Sequence, residues 1–252
     1  MNKIIYKIIR LKKFFLPTKF DKQLKQEEIE QTNFYKQFIN KGDLCFDIGA
    51  NVGYKSKIFY KLGAKVVAVE PQKNCVREIK LKLGNKVTVL ENGVGAENTI
   101  KEFYVANNSQ LSSFDKNWVS DLENTRFSEI EVEKVERIEI LTLDNLIGKY
   151  GTPNFIKIDV EGYELEVLKG LNLKFEMLSF EYAVPEKLDS VISCLVHLSE
   201  NFKNLKCNYC EGNVQSKFNL KDWISLDDMI AYVKKDYFQN TFAGDIYVKA
   251  NI

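Results

Sequence analysis

Two short apolar segments of this chain end in residues whose types and spacing could bind a ligand. Residues 44–48 run into Gly49 and Gly53, and residues 65–69 run into Glu70. A glycine has no Cβ, so the backbone can turn sharply there and a ligand can approach closely. Glu70 follows Gly49 by about 20 residues, the spacing at which a carboxylate reaches a ribose diol in a parallel α/β sheet. The two segments therefore predict a site for an adenosine-containing ligand at the carboxyl ends of neighbouring strands.

The residues around the first turn favour a cationic ligand over an anionic dinucleotide. Nicotinamide cofactors are bound by Gly-x-Gly-x-x-Gly, and Asn51 stands where the second of those glycines would be, so its side chain would crowd a pyrophosphate. Asp47 adds a negative charge that repels a phosphate and attracts a cation. S-adenosylmethionine carries an ammonium and a sulfonium and no phosphate, so we predict this cofactor. An NAD-dependent oxidoreductase is the less favoured alternative.

The same residues also have interpretations that involve no ligand. The two glycines could serve the turn alone, and Asp47 could accept hydrogen bonds from loop amides. Glu70 precedes Pro71 and could stand at a helix N-terminus, where an acid is favourable. All of them together, in this order and at this spacing, favour ligand binding.

Three carboxylates later in the chain are candidates for catalysis. Asp159 and Glu161 follow the apolar residues 154–158, and Glu181 lies at the end of residues 177–182. The carboxyl ends of strands in open α/β sheets line the ligand crevice. A reaction that uses S-adenosylmethionine needs a positioned acceptor, and a hydroxyl acceptor would also need a base for its proton. We predict all three as catalytic residues, with Asp159 as the favoured base. The alternatives are an N-cap for Asp159, a helix-dipole role for Glu161, and a magnesium site that the three carboxylates form with waters.

Three further segments carry a resemblance to a known family. Residues 108–113 read NSQLSS, residues 140–146 read ILTLDNL, and residues 155–164 read FIKIDVEGYE. Together with the Gly49 turn, they resemble the FkbM family of class I S-adenosylmethionine-dependent methyltransferases, over roughly residues 41–185. The resemblance implies a Rossmann-like fold, bound S-adenosylmethionine, and O-methylation, often of sugars or natural products.

The resemblance also implies a role for each candidate residue. Asn92, which follows a third apolar segment, would lie near the adenine, and Glu70 would hold the ribose. Asp159 and Glu161 would face the transferred methyl group. The residues that would border the methionine end of the cofactor are Asp47, Gly49, Asn51 and Gly53. We therefore expect an O-methyltransferase that acts on a hydroxyl of a glycan or glycan precursor. A non-catalytic module that binds the same cofactor is the alternative.

Strand-like and helix-like segments alternate from residue 44 onward, which predicts a doubly wound α/β fold with a mostly parallel, seven-stranded sheet. The predicted strands are 44–48, 65–69, 87–90, 154–158, 177–182, 203–210 and 245–249. Residues 100–105 and 131–140 resemble an inserted pair of extended segments. The polar loop between them, at 106–130, should be mobile and able to cover a site. Residues 1–40 are predicted as a helical extension and residues 41–252 as the Rossmann-like domain.

The N-terminal segment and the composition limit the partners of the chain. Residues 1–20 combine basic residues with apolar residues at near-helical spacing and contain no acid. Such a segment could contact an anionic membrane surface or a partner, or it could pack on the domain as a helix. The formal net charge of +1 gives no reason to expect nucleic acid as a partner. We expect a cytoplasmic protein, because no apolar run is long enough to span a membrane and no secretory leader is evident.

The histidine and cysteine content gives no support for a metal site. His197 is the only histidine and falls in an amphipathic helical segment, where packing is the more common role. Five cysteines in such a chain do not indicate a disulfide framework. Cys207 and Cys210 lack the second pair of ligands that zinc needs. We therefore predict no metal site.

Overall fold

The computed structural model describes residues 18–115 and 131–250. In chain order, the strands are β1 (Leu44–Ile48), β2 (Lys65–Val69), β3 (Thr88–Leu90), β4 (Gly93–Val94), β5 (Thr99–Ala106), β6 (Val132–Leu141), β7 (Phe155–Ile158), β8 (Met177–Ala183), β9 (Leu205–Glu211), β10 (Ile224–Ser225) and β11 (Ala243–Ala250). The helices are α1 (Lys19–Tyr35), α2 (Tyr54–Lys61), α3 (Lys73–Leu83), α4 (Leu143–Tyr150), α5 (Glu164–Lys169), α6 (Leu188–Asn201), α7 (Leu226–Val233) and α8 (Asp236–Gln239).

The central sheet has the strand order β10-β9-β11-β8-β7-β1-β2-β3. Strands β3, β2, β1, β7 and β8 are parallel, whereas β11 runs antiparallel between β8 and β9. All seven predicted strands are present, and the two-residue β10 adds a short eighth strand at one edge. The chain leaves β1 toward β2 on one side and reaches β7 on the other, so the switch point of the sheet lies at the carboxyl ends of β1 and β7. Ligands bind at this point in doubly wound folds.

Both faces of the sheet are buried, which explains why its strands read as nearly continuous apolar runs. One face packs against α1, α2 and α3 through a core that includes Tyr35, Phe59, Ile79, Phe155 and Tyr247. The other face packs against α4, α5, α6 and α7 through a core that includes Phe46, Leu146, Val167, Leu195 and Met229. Cys207 and Cys210 belong to different cores, as the alternation of a strand requires.

Helix α1, from Lys19 to Tyr35, lies within the helical extension predicted over residues 1–40. Thr18 caps it, because the Thr18 hydroxyl accepts a hydrogen bond from the Asp21 amide and the Asp21 carboxylate accepts one from the Thr18 amide. The C-terminal end of the helix is anchored by Phe34 and Tyr35, which are buried in the core. Residues 1–17, most of the predicted basic segment, lie outside the described residues, and the division at residue 40 stays a prediction. Within the described residues, no helix combines the length and apolar character needed to cross a membrane.

The predicted inserted pair is present as the antiparallel strands β5 and β6. They do not extend the main sheet but form a small three-stranded sheet with β4, in the order β4-β6-β5. Residues 116–130, the larger part of the predicted covering loop, lie outside the described residues. Residues 106–115 are described and include a 3-10 turn at Ser109–Leu111.

Candidate active site

Gly49 lies at the switch point and needs to be a glycine for two reasons. Its φ of +78° is in the left-handed region, and an added Cβ would lie 1.7 Å from the carbonyl oxygen of Asp159. The sequence pattern indicated that a ligand is the reason for a glycine here. In the structure, the backbone that follows β7 also excludes a side chain at this position. This close contact joins the two strand ends that carry the predicted cofactor-binding and catalytic residues.

The turn after Gly49 is held by Asn51 and Gly53. Asn51 has a φ of +46°, a conformation that asparagine tolerates better than most residues. Its side-chain oxygen accepts a hydrogen bond from the Val52 amide at 2.8 Å, and its own amide donates to Glu70 Oε2 at 2.8 Å. Gly53 precedes α2 with a φ of +77°, and an added Cβ would lie 3.0 Å from Ile79. The turn is thus built against both β2 and α3.

Asp47, in β1 just before this turn, is buried beside α2. Its carboxylate accepts a hydrogen bond from the Ser56 hydroxyl. Burial raises the pKa of Asp47, although the Ser56 bond and the charge of Lys157 act in the opposite direction. This hydrogen bond comes from a helix side chain and not from a loop amide, the alternative that the sequence left open. The prediction that Asp47 borders a cofactor stays a prediction.

Glu70 follows β2 and is 2% exposed. Its two carboxylate oxygens accept one hydrogen bond each, from the amides of Asn51 and Gln72, both at 2.8 Å. Gln72 stands at the N-cap position of α3, so Glu70 lies close to the start of a helix, as one sequence interpretation had it. Burial raises the pKa of Glu70 to about 7, despite these hydrogen bonds. An ionised carboxylate has about four lone-pair sites, so Glu70 can also accept a hydrogen bond from a ligand hydroxyl.

A narrow crevice of about 100 Å³ lies next to Glu70 and is lined on its far side by Asn92 and Phe114. The serine-rich segment covers it. The Ser109 carbonyl oxygen accepts a hydrogen bond from Gln72 Nε2 at 2.8 Å, and the Ser112 hydroxyl donates to Gln72 Oε1 at 3.3 Å. The side-chain amide nitrogen of Asn92 donates a hydrogen bond to Glu139 Oε2 at 3.1 Å. The segment that the sequence singled out as 108–113 therefore lies directly over the predicted nucleoside site.

A larger cavity of about 500 Å³ lies on the other side of Gly49. Its walls come from α1, from the ends of β7, β8 and β11, and from residues 212–215. The residues that line both spaces are Gly49, Asn51, Gln110, Asp159 and Glu161. A small crevice and a larger cavity therefore meet at the strand switch point.

The three predicted catalytic carboxylates converge at this junction. Asp159, Glu161 and Glu181 each place a carboxylate oxygen within 4.8 Å of the others. Burial, and then the charge of Asp159, raise the pKa values of Glu161 and Glu181 well above their usual range. Such a group of carboxylates can accept hydroxyl protons, attract a cationic ligand or hold a divalent cation. The sequence prediction that these side chains lie together is consistent with this geometry.

Lys157 is a residue of this site that the sequence analysis did not single out. It is 2% exposed, and its Nζ lies 2.8 Å from Asp245 Oδ1 and 3.2 Å from Asp159 Oδ2. Burial alone would lower the pKa of Lys157, but the charges of Asp159 and Asp245 raise it well above its usual range. This buried cation offsets part of the negative charge that the three carboxylates bring together.

The ion pair continues into a buried polar network below the larger cavity. Gln215 Nε2 donates to Asp245 Oδ2 at 2.6 Å, and the Lys55 ammonium donates to the side-chain oxygens of Gln31 and Gln215. Burial lowers the pKa of Lys55 to about 8. The network therefore links α1, α2, β7 and β11 beneath one cavity. By contrast, His197 lies in α6 with its Nε2 3.2 Å from the Leu168 carbonyl oxygen and lines neither space.

A family model described as the methyltransferase FkbM domain matches residues 47–191, more than half of the chain. This chain belongs to the FkbM methyltransferase family. The match begins at Asp47 and includes Glu70, Asp159 and Glu181, and it confirms the family resemblance seen in the sequence. Asp245 and Gln215, which complete the polar network, lie beyond the matched FkbM range.

This FkbM-family chain is similar to one curated relative and to several solved structures. The hexuronic acid methyltransferase AglP of Haloferax volcanii is 28% identical over 142 residues, which are 55% of this chain and 54% of that protein. The chain therefore spans about half the length of this curated relative. Precorrin-6y C5,15-methyltransferase from Geobacter metallireducens is 10% identical, with coverage of 88% and 87% and a TM-score of 0.43. An rRNA methylase from Streptococcus thermophilus is 9% identical, with coverage of 87% and 93% and a TM-score of 0.43.

Proposed function

We propose that this chain is an S-adenosylmethionine-dependent methyltransferase that methylates a hydroxyl of a glycan or glycan precursor. The observation that carries the proposal is the junction at Gly49, where the crevice beside Glu70 meets the carboxylate-lined cavity. Membership of the FkbM methyltransferase family supports the activity. The name of the Haloferax volcanii relative supports a sugar acceptor.

The residues beside the crevice fit a cationic nucleoside cofactor. Glu70 has lone pairs left for a ribose diol after it accepts its two backbone amides. Asn92 lines the far side of the same crevice, where the adenine would lie. Asp47, Gly49, Asn51 and Gly53 surround the start of α2, where the methionine end would lie. When bound, S-adenosylmethionine supplies a methyl group activated by a positive sulfonium, and the surplus of carboxylates at the junction suits that charge.

Asp159 is the residue that we propose as the base. Its carboxylate is held by Lys157 Nζ at 3.2 Å, and it lines both the crevice and the larger cavity. From this place it can accept the proton of an acceptor hydroxyl as the oxygen bonds to the methyl carbon. Glu161 and Glu181, whose pKa values are raised by burial, can orient the same hydroxyl through hydrogen bonds.

The first experiment tests cofactor choice and turnover together. Calorimetric titration should show binding of S-adenosylhomocysteine and no comparable binding of NAD, because Asn51 occupies the place of a pyrophosphate-binding glycine. Transfer of radiolabelled methyl groups to a panel of cell-surface sugars should follow. Tight NAD binding would contradict the cofactor, and cofactor binding without transfer to any sugar would favour a non-catalytic module.

A variant at the proposed base gives the second experiment. Asp159→Asn should lower kcat by about 10²- to 10⁴-fold, the usual contribution of a general base, and should leave S-adenosylhomocysteine binding within about twofold. Asp222→Asn changes an exposed carboxylate that lines neither space and serves as the control. We expect activity to persist with EDTA, because Lys157 already supplies a positive charge beside Asp159. Loss of activity with EDTA and recovery with magnesium would instead assign the three carboxylates to a metal.

A further inference from the structure

The lysines that line the larger cavity already form ion pairs or hydrogen bonds with oxygens of the protein. Lys157 is held by Asp159 and Asp245 at 3.2 and 2.8 Å. Lys55 donates to two glutamine side chains. Lys187 lies 3.7 Å from Asp115. Within residues 18–115 and 131–250, no arginine lines this cavity. Each lysine of the described walls is thus already paired with oxygens of the protein.

Carboxylates outnumber these lysines more than twofold along the same walls. Glu161 and Glu181 at the junction have pKa values raised well above their usual range by burial and by Asp159, which means that further negative charge is unfavourable there. Glu27 of α1 adds another acid to the same lining. An acceptor that carried its own carboxylate would bring further negative charge among these acids.

The remaining polar walls suit uncharged hydroxyl groups. Side-chain amides line the cavity at Gln31, Asn108, Gln110, Asn213 and Gln215. An amide offers both donors and an acceptor, which matches the donor and acceptor of each sugar hydroxyl. Tyr54 also lines the cavity, and its buried hydroxyl has no hydrogen-bond partner among the described residues. Buried polar groups are normally paired, so a ligand hydroxyl is a fitting partner for it.

We propose that the sugar unit bound in this cavity carries no negative charge, so that the acceptor is a neutral sugar rather than a uronic acid. The inference rests on the proposed function and narrows its substrate class. It separates this chain from the Haloferax volcanii relative, whose name specifies a hexuronic acid. We attribute the preference for an uncharged acceptor to the lysines of the cavity walls, which are paired with protein oxygens, and to the excess of acidic side chains there.

A set of paired acceptors tests the inference. The 4-nitrophenyl glycosides of glucose and glucuronic acid, and of galactose and galacturonic acid, differ within each pair only in the charged group. We expect kcat/KM for methyl transfer to favour the neutral member by roughly a hundredfold, since like charges brought together at a binding site are strongly unfavourable. Equal or faster transfer to either uronic acid overturns the inference and leaves the methyltransferase proposal standing. S-adenosylhomocysteine binding without transfer to any of the four also overturns it, because neither neutral sugar is then an acceptor. Failure to bind S-adenosylhomocysteine overturns the proposed function itself.

Two variants of α1 show whether the wall charge is responsible. Glu27 and Glu30 each accept a hydrogen bond from the glutamine four residues earlier, at 2.9 Å in both cases, but only Glu27 lines the cavity. Glu27→Lys should reduce the preference for the neutral sugar by about tenfold, because it replaces a repulsive charge with an attractive one. Glu30→Lys should leave the preference within about twofold. An equal effect of both variants would show that the charge of the cavity wall does not determine the preference for a neutral acceptor, and would overturn the inference.

Discussion

Substitution of Glu70 gives the most informative test of the cofactor site, because the structure defines what each of its oxygens does. The two oxygens accept hydrogen bonds from the backbone amides of Asn51 and Gln72, and lone-pair capacity remains for a ribose hydroxyl. Glu70→Gln keeps the shape of the side chain but removes the charge and replaces one acceptor with a donor. That donor would face either a backbone amide or a ribose hydroxyl.

The magnitude follows from these contacts. A hydrogen bond to a charged group contributes about 1.5–3 kcal/mol, and the variant loses at least one of those proposed for the ribose. S-adenosylhomocysteine affinity should therefore fall by about 10- to 150-fold. The variant should also lower the thermal stability of the free protein, because a buried backbone amide loses its acceptor.

The pKa of Glu70 adds a second, independent readout. It is raised from 4.5 to about 7, so the folded protein favours the protonated carboxyl. The contribution of Glu70 to stability is therefore complete below the unfolded pKa and is lost as the pH rises through about 7. Ribose binding draws on the ionised form, so wild-type affinity should rise about tenfold between about pH 6 and pH 8. Other acids of the site, such as Glu164 with a pKa of about 7, titrate in the same range, and the part of the pH dependence that Glu70→Gln removes belongs to Glu70.

Isothermal titration of both proteins with S-adenosylhomocysteine at several pH values measures all of these effects. Reduced thermal stability alongside unchanged affinity would refute the ribose assignment, since Glu70 would then serve only the turn and the start of α3. If Glu70→Gln lowers the affinity but leaves its pH dependence as in the wild type, the ribose contact is supported and the raised pKa of Glu70 is contradicted.

Two further predictions concern the architecture of the site. Gly49→Ala should lower the free energy of unfolding by more than about 3 kcal/mol in a denaturation assay, because its Cβ would lie 1.7 Å from the Asp159 carbonyl oxygen. The control Gly42→Ala, with open space around it, should lower this free energy by only about 1–2 kcal/mol. Equal losses in the two variants would contradict the close contact at Gly49. Lys157→Met should lower the free energy of unfolding by about 3–5 kcal/mol, because it leaves buried acids without their cation. Lys169→Met breaks an exposed ion pair and should lower it by about 0–1 kcal/mol. A small loss for Lys157→Met would mean that its ion pair is not buried in solution.

The local pattern of the sequence predicted the first half of the sheet well. Strands β1 and β2 each combine a short apolar run with a distinctive residue at its end, and this information lies within a few positions of the chain. Asp159 and Glu181 could be placed at the same edge because parallel strands bring their carboxyl ends together.

The polar network could not be predicted in the same way. Lys157 stands inside an apolar strand, and its partner Asp245 lies 88 residues away on an antiparallel strand. Only the register of β11 on β8, which pairs Asp245 with Glu181, brings these groups together. The reason for Gly49 was also beyond the pattern, because the carbonyl oxygen that excludes a Cβ belongs to a residue more than 100 positions later.

Helix α1 and residues 212–215 form two walls of the larger cavity, and both lie outside residues 47–191, which the family model matches. Replacement of these two segments would therefore reshape the larger cavity and leave the strand ends around Gly49 and Glu70 in place. Chimaeras that exchange only α1 between family members offer a direct route to redirecting such an enzyme.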